Sequence, residues 1–405
     1  MNETRRIVLF DTEAIHEDLL PMSYTRPVAA FRLGIRTLRE QWEELLPGEY
    51  YYRPVGFQQD KFGTCPADAD DLLFISGNVL PSESVAARAA ALIPGEALFQ
   101  GEDLVAFRGS ERRLDERDFS ARVELPEGTA RLLHFVFDIF LENAGQLKAE
   151  FRRITRGRVS RELDPSNTVI GPATDEDGLP MIFLEEGATV EGATINVKEG
   201  PVYIGRDATV MEGACLRGPL ALCRKAQVKM GAKIYGATTF GPYCKIGGEV
   251  QNVVIFGYSN KAHDGYLGNA VVGEWCNLGA GVNASNLKND YSKIRIWNYP
   301  RHTFMRTDLQ FCGLIMADHS KAGINCMFNT ATVVGVGVNL HGAGFPRVFV
   351  PSFLEGSPTC GMTDVSLKKF YQIAERVMGR RGLTLTDADR RIYERVYEVA
   401  SRYKA

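Results

Sequence analysis

Apolar residues recur at a fixed step of six through the middle of the chain: Ile204, Val210, Leu216, Leu222, Val228, Ile234, Phe240 and Ile246. An amphipathic helix spaces its apolar residues at 3.6 and a half-buried strand at 2, so a step of six fits neither. It fits a chain that turns a corner every six residues and points one apolar side chain inward between corners, a β-solenoid of hexapeptide repeats. Leu184 and Val190 already keep the step, and Gly200-Pro201 inserts two residues before the unbroken run. After Ile246 the register breaks. Loops over 252–264 are expected to leave the coil, which resumes at Tyr266, Val272, Leu278 and Ala284. A second excursion covers 287–320, and the step returns at Ala322, Phe328, Val334 and Leu340. The solenoid is expected from about Val169 to Gly344, with Phe345-Pro346 ending it.

On either side the pattern changes. Ile7–Phe10 and Leu72–Ile75 are short apolar runs of the buried-strand type. Ala29–Leu45 carries a helical period through Leu33, Leu38 and Trp42, and Leu132–Phe151 a second, with Phe135, Ile139, Leu141 and Leu147 facing the core. Asp164-Pro165 opens a turn-rich transition. Beyond the coil, Leu367, Phe370, Ala374, Val377 and Met378 form one helical stripe. Ile392, Val396 and Val399 form another, and Thr386 with Asp389 makes a capping box before it. The organisation that follows is an α/β unit at 1–157, a β-helix at 158–346 and a helical tail at 347–405 that caps the coil or a neighbouring subunit.

Composition narrows the classes. A chain of 405 residues has room for two or three units. Its net charge of −3 gives no global case for nucleic acid or an anionic membrane as partner. No run of 18 apolar residues exists, and the polar Met1–Arg6 runs into a strand-like IVLF, so no signal peptide is expected. The eight cysteines are scattered without a CxxC, as expected of reduced thiols in a cytoplasm. Cys215, Cys223 and Cys244 read as core thiols of the coil. His263, His302, His319 and His341 are the candidates for a zinc site of the kind some hexapeptide solenoids carry, but no pair has a short ligand spacing, and no metal site is expected.

The chemistry concentrates in one stretch. Lys261-Ala262-His263 is followed by Tyr266-Leu267-Gly268, then Cys276-Asn277-Leu278-Gly279-Ala280-Gly281, then Ser285-Asn286. This stretch resembles the acetyltransferase half of the bifunctional N-acetylglucosamine-1-phosphate uridyltransferase / glucosamine-1-phosphate acetyltransferase family. That family shows K-A-x-H, Y-L-G-D, N-I-G-A-G and C-N-Y in turn; one residue is missing here between Ala262 and His263. The likeness is closer to a Bacteroidetes-type subgroup of such enzymes, through Gly247-Gly248-Glu249-Val250, Gly257-Tyr258-Ser259-Asn260 and Gly273-Glu274-Trp275-Cys276.

The resemblance implies a Rossmann-like nucleotidyltransferase-type domain followed by a left-handed parallel β-helix and the helical tail. It implies acetyl transfer from acetyl-CoA to an amino-sugar 1-phosphate, expectedly glucosamine-1-phosphate, in a cytoplasmic homotrimer of UDP-N-acetylglucosamine biosynthesis. His263 would be the general base, since an imidazole with a pKa near 6.5 suits deprotonation of an amine. Tyr266 and Asn277 would hold the acceptor sugar, and Asn286 would stabilise the oxyanion. Lys233, and secondarily Lys293, would meet the sugar phosphate as point cations. As general chemistry, Asn277 and Asn286 also suit coil corners.

In the same family the first strand is followed by a glycine-rich phosphate loop, and a nucleotidyl step joins UTP or dTTP to a sugar-1-phosphate with Mg²⁺. Here Asp11-Thr12-Glu13-Ala14 follows the strand, and no glycine precedes Gly34. Leu20-Pro21-Met22-Ser23 and Arg26-Pro27 stand for later family positions, with Arg26 the candidate nucleotide contact. Asn78 falls near the place of a metal-binding Asp, and an amide replaces a carboxylate poorly for Mg²⁺. Two other readings follow from these departures: an enzyme with one working half, or a sugar-nucleotide-binding scaffold without turnover.

Overall fold

The apolar runs of the first third become buried strands of a mixed sheet. The structure, a computed structural model, describes residues 5–65 and 69–404. It divides into two units, the first Met1–Phe31 with Arg36–Phe135, the second Arg32–Ile35 with Val136–Ala405.

In the first unit, strands β1 (Arg6–Phe10), β2 (Glu49–Arg53), β3 (Leu72–Ser76), β4 (Glu96–Gln100), β5 (Asp103–Gly109) and β6 (Ala121–Glu124) lie in the order β2-β1-β3-β5-β4-β6. β1 pairs in parallel with both β2 and β3, and β5 runs antiparallel to β3 and β4. Every residue of β3 is buried, as its unbroken apolar run requires. The helix expected over Ala29–Leu45 is shorter: only Leu38–Leu45 is helical, after a 3₁₀ turn at Val28–Ala30. Thr37 and Glu40 form a capping box that starts the helix there, and Gly34 upstream has φ +82°.

Three parallel ladders make the second unit. On one face, strands including Thr194–Asn196, Cys215–Arg217, Lys233–Tyr235 and Asn283–Ala284 stack; on the next, Val202–Ile204, Leu220–Leu222 and Thr238–Phe240; on the third, Thr209–Val210, Gln227–Val228 and Lys245–Ile246. Parallel registers such as Ile204↔Leu222↔Phe240 and Val210↔Val228↔Ile246 put the six-step residues in inward columns. They form one buried core.

Residues 252–264 do not leave the coil. Glu249–Gly257 and Tyr266–Glu274 are nine-residue strands that run across the first face and on into the second. The coil is shortened there: Phe240 pairs with Ile255, where Leu222 had paired with Phe240 eighteen positions on. The inward residue is Leu267, and Tyr266 faces outward, because the shortening shifts the alternation by one. The ladder also continues past Phe345-Pro346 through Phe349–Val350 and Leu354–Ser357, and closes with the antiparallel strand Gly361–Asp364.

The second excursion is an ordered hairpin. Arg295–Asn298 and Thr303–Arg306 pair antiparallel, and Trp297 stacks on Phe349 with centroids 4.1 Å apart. The helix expected over Leu132–Phe151 runs Asp138–Thr155; it buries Ile139 and Leu147, while Leu141 on it and Phe135 before it, expected inside, are exposed. Its buried Asn143 and Glu150 instead accept from Gly34 N and Ile35 N at 2.8 and 2.7 Å. A Cβ on Gly34 would come within 2.7 Å of the Glu150 carboxylate, so only glycine fits. The tail forms helices Leu367–Gly379 and Asp387–Ala400, with the Thr386–Asp389 capping box in place. Among the described residues no helix is long and apolar enough to cross a membrane.

Candidate functional site

Strand alternation sends every second residue of the first face outward, so stacked strands present columns of polar side chains about one rung apart, roughly 4.8 Å. One column reads Cys215, Lys233, Glu249, Tyr266, so Cys215 is exposed there and is not the core thiol expected of it. Beside it run Tyr235 and Gln251. The columns are cross-linked. Tyr235 donates its hydroxyl to Glu249 Oε1 at 2.6 Å, and Tyr266 donates to Gln251 Oε1 at 2.9 Å. Asn286 Nδ2 donates to the Tyr266 hydroxyl at 2.9 Å and to Asn269 Oδ1 at 2.7 Å. Burial lifts the Tyr266 hydroxyl above the ordinary tyrosine value; the Asn286 amide opposes this and Glu249 adds to it. For Tyr235, burial and the bond to Glu249 push the hydroxyl to about 12. Both phenols are therefore donors at neutral pH.

Gly268 makes this arrangement possible. A Cβ there would lie 2.2 Å from the Tyr266 hydroxyl oxygen and 2.7 Å from Asn286 Nδ2. Both hydrogens of the Asn286 amide are engaged, so in this geometry the amide orients Tyr266 rather than pointing an idle donor outward.

His263 lies exposed at the corner where the third face turns into the first, three residues before Tyr266. Its backbone is held from inside the coil. Lys261 occupies an inward slot of the third face, in register with Ile246 before it, and is 1% exposed. Its ammonium donates to the carbonyls of Gly247 at 3.1 Å and His263 at 2.8 Å. Desolvation pulls the Lys261 pKa down to about 8, with Asp264 opposing. An apolar step of six gives no warning of this residue, because the coil shortens there; a lysine where the column needs a hydrophobe is the signal that marks it.

The structure brings Lys233, Tyr266 and Asn286 to one face, with His263 at its edge. It does not bring Asn277 there: Asn277 is exposed on the third face, in register with Asn260. Lys293 lies in the excursion before the hairpin, where its ammonium meets the Asp308 carbonyl. His319 is buried against Phe370 and Tyr393, and His302 stacks near Tyr403. No group of three or more His, Cys, Asp or Glu able to hold a metal occurs among the described residues.

In the first unit, polar side chains gather at the carboxyl ends of β1 and β3, where open α/β sheets bind ligands. Asp11 follows β1, and its Oδ2 accepts from Val28 N at 2.8 Å. Asp11 Oδ1 is buried without a hydrogen-bond partner. Burial raises this carboxyl to about 7, with the Val28 bond opposing. Gly77 permits the packing, since a Cβ would stand 2.1 Å from Asp11 Oδ1. Arg26 is buried nearby in sequence, 7% exposed. Asn78 is committed: its Oδ1 accepts from Ser76 Oγ at 2.7 Å and its Nδ2 donates to the Leu133 carbonyl at 3.0 Å. His16 is also buried, among Tyr24 and Phe57, and desolvation lowers it to about 4. Sequence pattern alone does not single out Asp11, although an acid directly after an apolar strand, at its carboxyl end, is a usable signal.

A family model described as sugar nucleotidyl transferase matches residues 7–159. The bifunctional protein GlmU of Methanocaldococcus jannaschii is 29% identical over 156 residues, which is 38% of this chain and 35% of that protein. The match thus spans about a third of the length of that curated relative. Among solved structures, a mutant of AntD, an N-acyltransferase from Bacillus cereus in complex with dTDP and coenzyme A, is 12% identical with a TM-score of 0.23, covering 48% of this chain and 89% of that one. An Arabidopsis UDP-N-acetylglucosamine acyltransferase is 15% identical at a TM-score of 0.22, covering 55% and 78%. A hexapeptide transferase family protein from Anaplasma phagocytophilum is 12% identical at 0.16, covering 58% and 96%.

Proposed function

We propose that the chain is a sugar-nucleotide enzyme whose second unit transfers acetyl from acetyl-CoA to the amine of an amino-sugar 1-phosphate, with glucosamine-1-phosphate the first acceptor to try. The observation that carries the reading is the outward ladder Lys233–Glu249–Tyr266 beside the corner that holds His263. A cation two rungs from a fixed phenol suits a phosphate joined to a hydroxyl-rich ring. In the step, the amine lone pair forms the C–N bond at the thioester carbonyl, the C–S bond breaks, and coenzyme A leaves as thiolate. His263 takes the surplus N–H proton. Asn286 keeps Tyr266 in place, and Lys261 fixes the main chain at His263. A homotrimer belongs to the same reading, since flat coil faces pack around a threefold and close without remainder.

In the first unit the reading adds a nucleotidyl step that joins UTP or dTTP to a sugar-1-phosphate. Mg²⁺, when bound, neutralises triphosphate charge. Asp11 is the residue that would hold it, because its unpartnered carboxylate oxygen suits a hard cation, while Asn78 has its amide tied to Leu133. Arg26 would contact the nucleotide. A second reading, acetyl transfer alone, is favoured by that commitment of Asn78 and by the absence of glycine before Gly34.

Two assays separate these. Acetyl transfer with acetyl-CoA and glucosamine-1-phosphate is expected for the wild type and to fall at least about 100-fold in His263→Ala, the scale of one general base. Equal turnover by both proteins removes His263 from the chemistry. Release of pyrophosphate from UTP or dTTP with a sugar-1-phosphate tests the first unit by itself.

A further inference from the structure

Six cations of the second unit converge away from the acetyl-transfer face. Lys225 and Tyr243 are left-handed residues, with φ +58° and +61°, at successive turns of the corner between the second and third faces. Three cations surround the Tyr243 ring: Arg224 Cζ at 5.4 Å from its centroid, Lys225 Nζ at 5.6 Å and Arg381 Cζ at 5.7 Å. Arg381 comes from the segment after the helix Leu367–Gly379 and donates to the Tyr243 carbonyl at 3.5 Å. On the third face, Lys245 is registered with Gln227, whose amide oxygen accepts from Lys229 at 3.2 Å. Burial lowers the Lys245 pKa first, and the charges of Arg381, Lys229 and Arg380 lower it further, so these cations feel one another.

None of Arg224, Lys225, Lys229, Lys245, Arg380 and Arg381 forms an ion pair among the described residues, whereas many other surface arginines do, Arg206 with Glu186 and Arg217 with Glu199 among them. Along the same corner Asp207 stands one turn beyond Lys225, and on the other side Tyr243 stacks on Tyr258, then Tyr258 on Trp275. A chain of net charge −3 that collects six unpaired cations in one place bears their mutual repulsion. Such a break of a local rule is expected where a ligand supplies the missing charge. The cluster is small: Lys225 and Tyr243 are about one rung apart, as are Gln227 and Lys245. That size matches two or three phosphoryl groups rather than the length of a duplex or a bilayer surface.

We infer that Arg224, Lys225, Lys229, Lys245, Arg380 and Arg381 form a binding site for the phosphorylated nucleoside portion of a small ligand. Two sources share this chemistry: the 3′-phosphorylated ADP end of an acyl-CoA donor, which rests on the acetyl-transfer reading, and a nucleoside triphosphate, which does not. Arginine forks and lysine point charges together suit terminal and bridging phosphate oxygens.

Calorimetric titration of the full-length protein with 3′,5′-ADP and, separately, with UTP tests the site. One of the two is expected to bind in a way that the variants below weaken, and that arm identifies the source; UTP held by the first unit alone is unaffected by them. Lys245→Met/Arg381→Met is expected to weaken that binding at least about tenfold, the effect of losing one or two charge-assisted bonds. Arg224→Ala/Lys225→Ala, on exposed positions of a corner whose backbone is unchanged, is expected to do the same. No binding of either probe at millimolar concentration, or binding that both variants retain, overturns the site. Tighter binding of a DNA duplex than of either nucleotide overturns the small-ligand assignment. The acetyl-transfer assay is read independently: nucleotide binding lost in the variants of a protein without acetyl transfer keeps the site and discards that reading, and the reverse pattern does the opposite.

Discussion

Lys261 is a charged group in a column of hydrophobes. Its folded pKa of about 8 lies below the ordinary lysine value of 10.5. The unfolded chain therefore binds more protons between those values, so the stability this group contributes is present above about 10.5 and lost as pH falls through about 8. Lys261→Met fills the slot without the charge and is expected to match or exceed wild-type stability at pH 7, with the wild type gaining on it between pH 8 and 10.5; urea unfolding at pH 7 and 9.5 reads this. Acetyl transfer should nonetheless fall, because the His263 carbonyl loses its tether. Asp11 has the opposite sign. Its folded pKa of about 7 exceeds the ordinary 3.8, so its stabilising contribution is present below about 3.8 and lost as pH rises through about 7. Asp11→Asn is expected to raise stability at pH 8 by on the order of 4 kcal/mol, at about 1.4 kcal/mol per pKa unit over the rise from 3.8 to about 7, and to lose that advantage at pH 4. A variant no more stable than wild type at pH 8 would mean that the carboxylate is charged and satisfied in the folded state.

At the scale of elements, the coil is the part that sequence announces most openly, because each turn repeats the same demand for one inward apolar residue. Phe240, fully buried between Leu222 and Ile255, shows the cost of ignoring it. Phe240→Ala is expected to lose about 3–5 kcal/mol by thermal or chemical unfolding, while an outward neighbour such as Lys233→Ala stays within about 0.5 kcal/mol. Where the repeat was misread, the cause is local. A step of six could not foresee a coil tightened to join Phe240 with Ile255, so 252–264 read as a loop and Tyr266 as an inward residue. Periodicity alone extends the helix over Ala29–Leu45, because it weighs apolar spacing and not the capping box that begins at Thr37. Of the candidate site, the run from Lys261 to Asn286 was legible through its polar residues, but Asn277 falls on another face, a matter of registry that spacing alone does not encode.

Over the whole molecule, two units carry separate interiors, the solenoid core and the two apolar layers of the mixed sheet. Each buries its own strands, so each is expected to melt as its own cooperative block. A calorimetric scan of the intact chain should therefore need more than one transition; a single transition with equal van't Hoff and calorimetric enthalpies would show that the blocks unfold together. Charge is distributed unevenly at this scale as well, with a net value near neutrality coexisting with the cationic group around Tyr243.

The last strand, Gly361–Asp364, reverses direction against Leu354–Ser357. Every earlier rung of that face offers the next one a parallel template, and a template of that kind does not by itself know when to stop. The reversed strand takes up the outer hydrogen-bonding groups of Leu354–Ser357, so that rung is paired on both sides within the chain. The last parallel rung of that ladder is thereby kept from pairing with another molecule.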